Sequence, residues 1–504
     1  MVRENVWKKY DQGSVNDVMD FAEEYRTFIS DCKTERECVV KAVDMARKAG
    51  YKDLADVIRD QEVLREGDKV YAVNQKKSII LFHIGSEPME NGLNILGAHI
   101  DSPRLDIKQN PLYEDEISHL VLLDTHYYGG VKKYQWVAMP LALHGVVTLK
   151  SGKTVDIVIG EDEKDPVIGI SDLLIHLAAK QMEKKADKVI EGEDMNLLIG
   201  SMPKPKDKGD VSCASKEDEK VKNEAKANAK ADSSSEVGTG DSEEDKHVIE
   251  QDSTVKNYIL DLLNQKYGIE EEDFLSAELE AVPAGKARDY GIDSSMIMGY
   301  GHDDRVCAYP SLIAQLKADR LKRTGVCILV DKEEIGSVGA TGMHSRFFEN
   351  MVAEVMDRVG GYSELKLRRA LTNSKMLSSD VTAAYDPNYP DVYEKKNTAY
   401  FGHGMVFNKY TGSRGKSGSN DASAEFIGEL RKIMDENNVS FQASELGKVD
   451  AGGGGTIAYI LANYGMNVID SGVAVQNMHA PYEVISKVDL YETLKGYQAF
   501  LQNA

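Results

Sequence analysis

No apolar run among the 504 residues is long enough to span a bilayer, which excludes a helical membrane anchor within the chain. Positive charge is in deficit. Lys and Arg number 61 against 83 Asp and Glu, a net charge of -22 that argues against nonspecific nucleic-acid or anionic-membrane binding. Cysteine is scarce: Cys32, Cys38, Cys213, Cys307 and Cys327 are odd in number and lack close paired spacing. That favours reduced thiols over a disulfide framework. The start, Met1-Val2-Arg3-Glu4-Asn5, has no apolar signal core, so the expectation is a cytoplasmic protein with no membrane or nucleic-acid partner. What is present is ordinary for a globular chain of two or three domains, with a hydrophobic share of 42% and a charged share of 29%.

Residues 14–30 place Val18, Phe21, Ala22, Tyr25, Phe28 and Ile29 on one helical face, with Ser14 as the expected cap. The spacing of Thr34 and Glu37 predicts a capping box opening a second helix that stops near Gly50. The short apolar runs Ser78–Ile84 and Leu93–Ile100 read as strands. From Pro103 to Ile170 strand-like segments alternate with Gly and Asp turns, which predicts a β-rich insertion, followed by a helix over Leu173–Lys184. Residues 203–253 lack any aromatic residue and are dense in Lys, Glu, Asp, Ser and Ala, the composition of a flexible charged insertion. Strand-like and helix-like segments then alternate from Lys256 to the end, which argues for an α/β fold. The expected division is 1–104 with 254–504, then 105–202, then 203–253.

Five short motifs carry chemistry: His99-Ile100-Asp101, His302-Asp303-Asp304-Arg305, Glu333-Glu334, Ser379-Asp380 and Met478-His479-Ala480. His99 and Asp101 share a face of a regular strand, so the histidine can bind a metal while Asp101 fixes its other nitrogen. Asp303 can bridge two cations through its two oxygens. Asp303, Glu334 and Asp380, with a bridging hydroxide, balance the four charges of two divalent ions, and His99 and His479 add neutral nitrogens. Such an O/N set suits Zn²⁺, with Mn²⁺ and Co²⁺ as alternatives. One glutamate of the pair Glu333-Glu334 is then spare to move a proton, and alternation along an extended strand separates the two. Spacing leaves open which is which.

These motifs, in this order, resemble the metallopeptidase family that contains aspartyl aminopeptidase and vacuolar aminopeptidase I. Gly97–Arg104, Thr125–Gly130, Glu191–Asp194, Lys409–Ala422 and Asp450–Thr456 extend the likeness to nearly the whole chain, and the last two runs look closer to the aminopeptidase I branch. The resemblance implies that His99, Asp303 and Asp380 hold one metal and Asp303, Glu334 and His479 the other. It implies Glu333 as general base and Asp101 as the partner that orients His99. It also implies an α/β/α sandwich with an inserted β-rich dimerisation domain, dimers that build a dodecamer, and peptide substrates that lose N-terminal residues by metal-hydroxide attack. One departure stands out: where the family often reads Arg-Leu-Asp-Asn, this chain has Gly301-His302-Asp303-Asp304.

Lys409 and the loop Thr411–Asn420 are candidates to line the substrate pocket, and Gly452–Gly455 to form a tight crossing near the metals. His176 reads as a helix-packing histidine, and His126 and His144 as residues outside the site. A deacylase on the same scaffold and a non-catalytic assembly protein are the competing readings.

Overall fold

The computed structural model describes residues 4–205, 254–412 and 415–504. Nearly all of the expected charged insertion, together with Ser413 and Arg414, lies outside these described residues.

A nine-stranded sheet organises the larger part. Its central strands, Gly325–Val330, Asn94–His99, Lys375–Ser379 and Asn467–Gly472, run parallel in that spatial order. Both faces are covered, so these strands read as nearly continuous apolar runs. Alternate side chains enter different cores. Leu96, Ala98, Cys327, Leu329, Leu377 and Ile469 pack against the helices Gln12–Asp31, Glu35–Lys48 and Lys487–Asn503. Ile95, Val326, Ile328, Met376 and Val468 pack against Phe347–Val359 and Glu364–Asn373. The result is an α/β/α sandwich whose parallel strands all end at one rim.

Two further sheets frame that rim. A five-stranded sheet contains Met296–Gly299, Glu483–Ser486 and Ala474–Gln476, and its connections carry Asp303 and His479. The β-rich layer is a six-stranded antiparallel sheet in the order Thr154–Ile159, Leu141–Thr148, Ala277–Pro283, Arg104–Glu114, Val121–Tyr128 and Leu197–Gly200. Because Ala277–Pro283 pairs inside this sheet and the helix Val255–Tyr267 packs on its core, residues 255–283 stay with the β layer, beyond the expected return at 254.

The Thr34 capping box is present: Thr34 accepts from Glu37 N, and the Glu37 carboxylate accepts from Thr34 N at 2.9 Å. The first helix starts earlier than expected, at Gln12, because Asp11 and not Ser14 is its cap, accepting from Ser14 N at 2.9 Å. The helix expected over Leu173–Lys184 is reduced to Ala179–Met182. Leu173, Leu174, Ile175, His176 and Leu177 are exposed in a turn, so His176 packs against no helix. Apolar side chains stabilise a helix only where a facing surface buries them, and the described residues offer none here. No helix among the described residues is long and apolar enough to cross a membrane.

Candidate metal centre

His99 is the last residue of a central strand and Asp380 follows the end of the next one. Glu333 and Glu334 lie just beyond Val330, but not in an extended strand. Lys332 is left-handed (φ 70°), Glu333–Ile335 form one 3-10 turn, and Gly336 (φ 96°) ends it. The turn, not strand alternation, therefore separates the two carboxylates. Asp303 is the second residue of the segment His302–Lys317 and has non-helical dihedrals, and His479 sits in the connection between Ala474–Gln476 and Glu483–Ser486.

These elements bring together two triads that could each hold a metal ion, His99 with Asp303 and Asp380, and Asp303 with Glu334 and His479. Within each triad the ligand atoms lie inside 4.8 Å of one another. Asp303 faces both ways. Its Oδ1 is 3.2 Å from His99 Nε2, and its Oδ2 is 3.2 Å from His479 Nε2. Glu334 Oε2 is 3.5 Å from His479 Nε2. Two ligands about 2.0–2.1 Å from one tetrahedral zinc sit roughly 3.3 Å apart, so these spacings suit shared cations. His99 Nε2, Asp303 Oδ1 and Glu334 Oε1 are buried without a hydrogen-bond partner, which is the state of donors that wait for a metal.

Electrostatics agree with that fit. Burial and the Asp303 charge push Glu334 well above the usual carboxylate range, and burial with Asp304 and Glu333 does the same to Asp380. Burial opposes charge on His479, yet Asp303 and Glu334 raise its pKa to about 10. So many carboxylates in one buried place need cations, protons or both. Glu333 belongs to neither triad. Burial first, then Asp101 and Asp303, raise it to about 7, near the optimum for a group that both takes and returns a proton at neutral pH.

Glu333 lines a cavity of about 490 Å³, together with Asp303, Glu334, Asp380 and His479. The rest of the lining is neutral and includes Asn408, Thr411, Leu446, Gly453–Gly455, Thr456 and Tyr459. The chain as a whole is similar to known proteins. The family description "Aminopeptidase I zinc metalloprotease (M18)" matches residues 28–501. A relative from Clostridium acetobutylicum, "Probable M18 family aminopeptidase 1", is 57% identical over 499 residues, which cover 99% of this chain and 98% of the relative. The chain belongs to the M18 family of zinc aminopeptidases.

The M18 aminopeptidase from Thermotoga maritima, solved by crystallography, superposes with a TM-score of 0.86 at 39% identity and full coverage of both chains. The mApe1 dodecamer from S. cerevisiae shares the fold at a TM-score of 0.70 and 19% identity, covering 96% of this chain and 97% of that one. In this M18 chain Asp101 meets His99 twice, through its carbonyl at 3.0 Å and its carboxylate Oδ1 at 3.3 Å from Nδ1. Lys409 departs from its expected place. It is exposed, lies 3.9 Å from Asp421, and does not line the cavity, whereas its neighbours Asn408 and Thr411 do. His302 turns away from the centre, its Nδ1 2.7 Å from the Tyr25 hydroxyl. Asp304 is buried beside Asp303, and neither of its oxygens has a hydrogen-bond partner. His144 bridges Glu37 and Glu161 at 2.8 and 3.1 Å, remote from the centre.

Glu483 was not among the expected site residues. Its carboxylate accepts from Asp303 N at 3.0 Å and His479 N at 2.7 Å, holding one ligand of each triad by the backbone. The available signal was an acid opening the apolar strand Glu483-Val484-Ile485.

Proposed function

We propose that the chain is a dinuclear aminopeptidase that releases N-terminal residues from peptides. The observation that carries this reading is a pair of ligand triads joined through Asp303, with Glu333 left over on the cavity wall. His99, Asp303 and Asp380 hold one ion and Asp303, Glu334 and His479 the other, with zinc favoured by the family and by the O/N donor set. When bound, the zinc pair supplies the Lewis acidity that acidifies a water and polarises the scissile carbonyl. Glu333 takes a proton from the attacking water and gives it to the leaving amine. Asp101 orients His99, and Glu483 fixes the backbones of Asp303 and His479.

The neutral cavity wall favours neutral or apolar N-terminal side chains over acidic ones, since no Lys or Arg lines it among the described residues. The six-stranded β layer, residues 105–202 extended by 255–283, is proposed as the dimerisation unit. Its exposed run Leu173–Leu177 supports this. A dodecamer built from six dimers is proposed from the mApe1 dodecamer that shares the fold.

The test compares one peptide with a free N-terminus and the same peptide N-acetylated, in the zinc-loaded protein. Release of the first residue from the free peptide alone supports an aminopeptidase. Equal cleavage of both would make the chain a broader amide hydrolase, and cleavage of neither, with zinc bound, an assembly protein.

A further inference from the structure

We propose that the inserted β layer is itself part of the metal centre: Tyr128 and the Gly129-Gly130 turn that follows it are positioning residues for both halves of the ligand set. The inference rests on the ligand assignment above and extends it to three successive residues from another sheet.

Tyr128 ends the strand Val121–Tyr128 of the six-stranded sheet and is buried. Its hydroxyl donates to Asp101 Oδ2 at 2.8 Å. Asp101 also accepts from Glu333 N and Glu334 N, each at 3.2 Å, and lies 3.3 Å from His99 Nδ1. One carboxylate therefore ties a ligand of the first metal to the turn that bears the spare glutamate and a ligand of the second. Tyr128 bonds that carboxylate from the six-stranded sheet. The ring is itself held: the Arg104 guanidinium sits 3.9 Å from its centroid, and Arg104 is anchored by Asp106 at 2.8 Å and Glu280 at 3.1 Å.

The next two residues reach the second metal. The Gly130 carbonyl accepts from His479 Nδ1 at 3.0 Å, which leaves Nε2 to face Asp303 and Glu334. Such a bond selects the tautomer and ring orientation of a ligating histidine. A Cβ at Gly130 would stand 3.3 Å from His479 Nδ1, and one at Gly129 (φ +75°) would stand 3.3 Å from Glu334 Cβ. A side chain at either position would press on a ligand. Tyr128 and Gly130 thus bond Asp101 and His479, and Gly129 between them leaves room for Glu334.

Tyr128→Phe and Gly130→Ala in the full-length protein test this. Zinc affinity is read by competition with a chromophoric chelator, and the melting temperature of the stripped protein reports folding. Tyr128→Phe is expected to weaken zinc binding about 10–100-fold and to lower kcat with KM unchanged, at an unchanged metal-free melting temperature. Gly130→Ala is expected to weaken one zinc equivalent, that of Glu334 and His479, and to spare the other. Wild-type zinc affinity in both variants overturns the proposal, as does a lowered melting temperature with affinity unchanged, the mark of a merely structural role. If Tyr128→Phe does not fold, Gly130→Ala alone decides. Zinc affinity is measured without substrate, so a protein that cleaves no peptide leaves this test standing, and an active protein with unaltered affinity sinks only this inference.

Discussion

Asp303 divides its two oxygens between His99 and His479, and Glu333, on the cavity wall, belongs to neither triad. Glu333→Gln keeps the shape and removes the proton acceptor, so turnover is expected to fall about 10²–10⁴-fold while elemental analysis still finds the wild-type zinc content. Wild-type turnover in that variant would remove Glu333 from the chemistry. A pH effect follows from the same carboxyl. In the metal-free protein burial raises its pKa from 4.5 to about 7, so folding favours its protonated form. Its contribution to stability is complete below about pH 4.5 and is lost as pH rises through about 7. The melting temperature of stripped wild type should therefore fall relative to stripped Glu333→Gln between pH 5 and 8, and parallel curves would contradict it. The candidate ligands were all visible as residues in the sequence, because acids and histidines at the ends of apolar runs stand out. Their division into two triads was implied by family likeness, and only coordinates place Asp303 between two histidines. Tyr128 and Glu483 were not legible as site residues for a physical reason: Tyr128 reaches the Asp101 carboxylate from 27 residues away, and Glu483 acts through the backbone N–H groups of Asp303 and His479, neither of which leaves a spacing pattern.

Among the elements, those with local signals were legible. The second helix is opened by a reciprocal side-chain-to-backbone pair at Thr34 and Glu37, readable from four residues. Thr34→Ala is expected to destabilise the protein by about 1 kcal/mol, since it orphans Glu37 N at the helix start. A urea midpoint equal to wild type would show that Glu37, which also accepts from Lys33 N, supports the turn alone. The central strands were legible because burial on both faces makes them apolar throughout. Two elements misled. The glutamate pair reads as the tail of a strand, yet a left-handed Lys332 turns the chain one residue earlier. Ala277–Pro283 follows a helix and reads as part of the α/β alternation, but its partners are Arg104–Glu114 and Leu141–Thr148, far away in sequence. Pairing between distant strands depends on tertiary closure, which local periodicity does not encode.

At the scale of the molecule, the unsolved surface is the run that reads as a helix and does not form one. Leu174 is 54% exposed, Ile175 69% and Leu177 68%, side by side on the β layer. Contiguous exposed apolar side chains on a folded chain mark a contact surface. A second copy of the same layer is the partner proposed above, and it would bury these residues without a new element in either chain. Replacing Leu174 and Ile175 with Asp removes their share of that burial, on the order of 3 kcal/mol or ~10²-fold in association, and places like charges together across a symmetric contact. In sedimentation velocity the wild type is expected as a large oligomer, and Leu174→Asp/Ile175→Asp as smaller species at the same concentration. Circular dichroism should be unchanged, because the side chains already face solvent within one chain. A double variant that sediments with the wild type would move the subunit contact away from this run, and leave its exposure to be explained by a different partner.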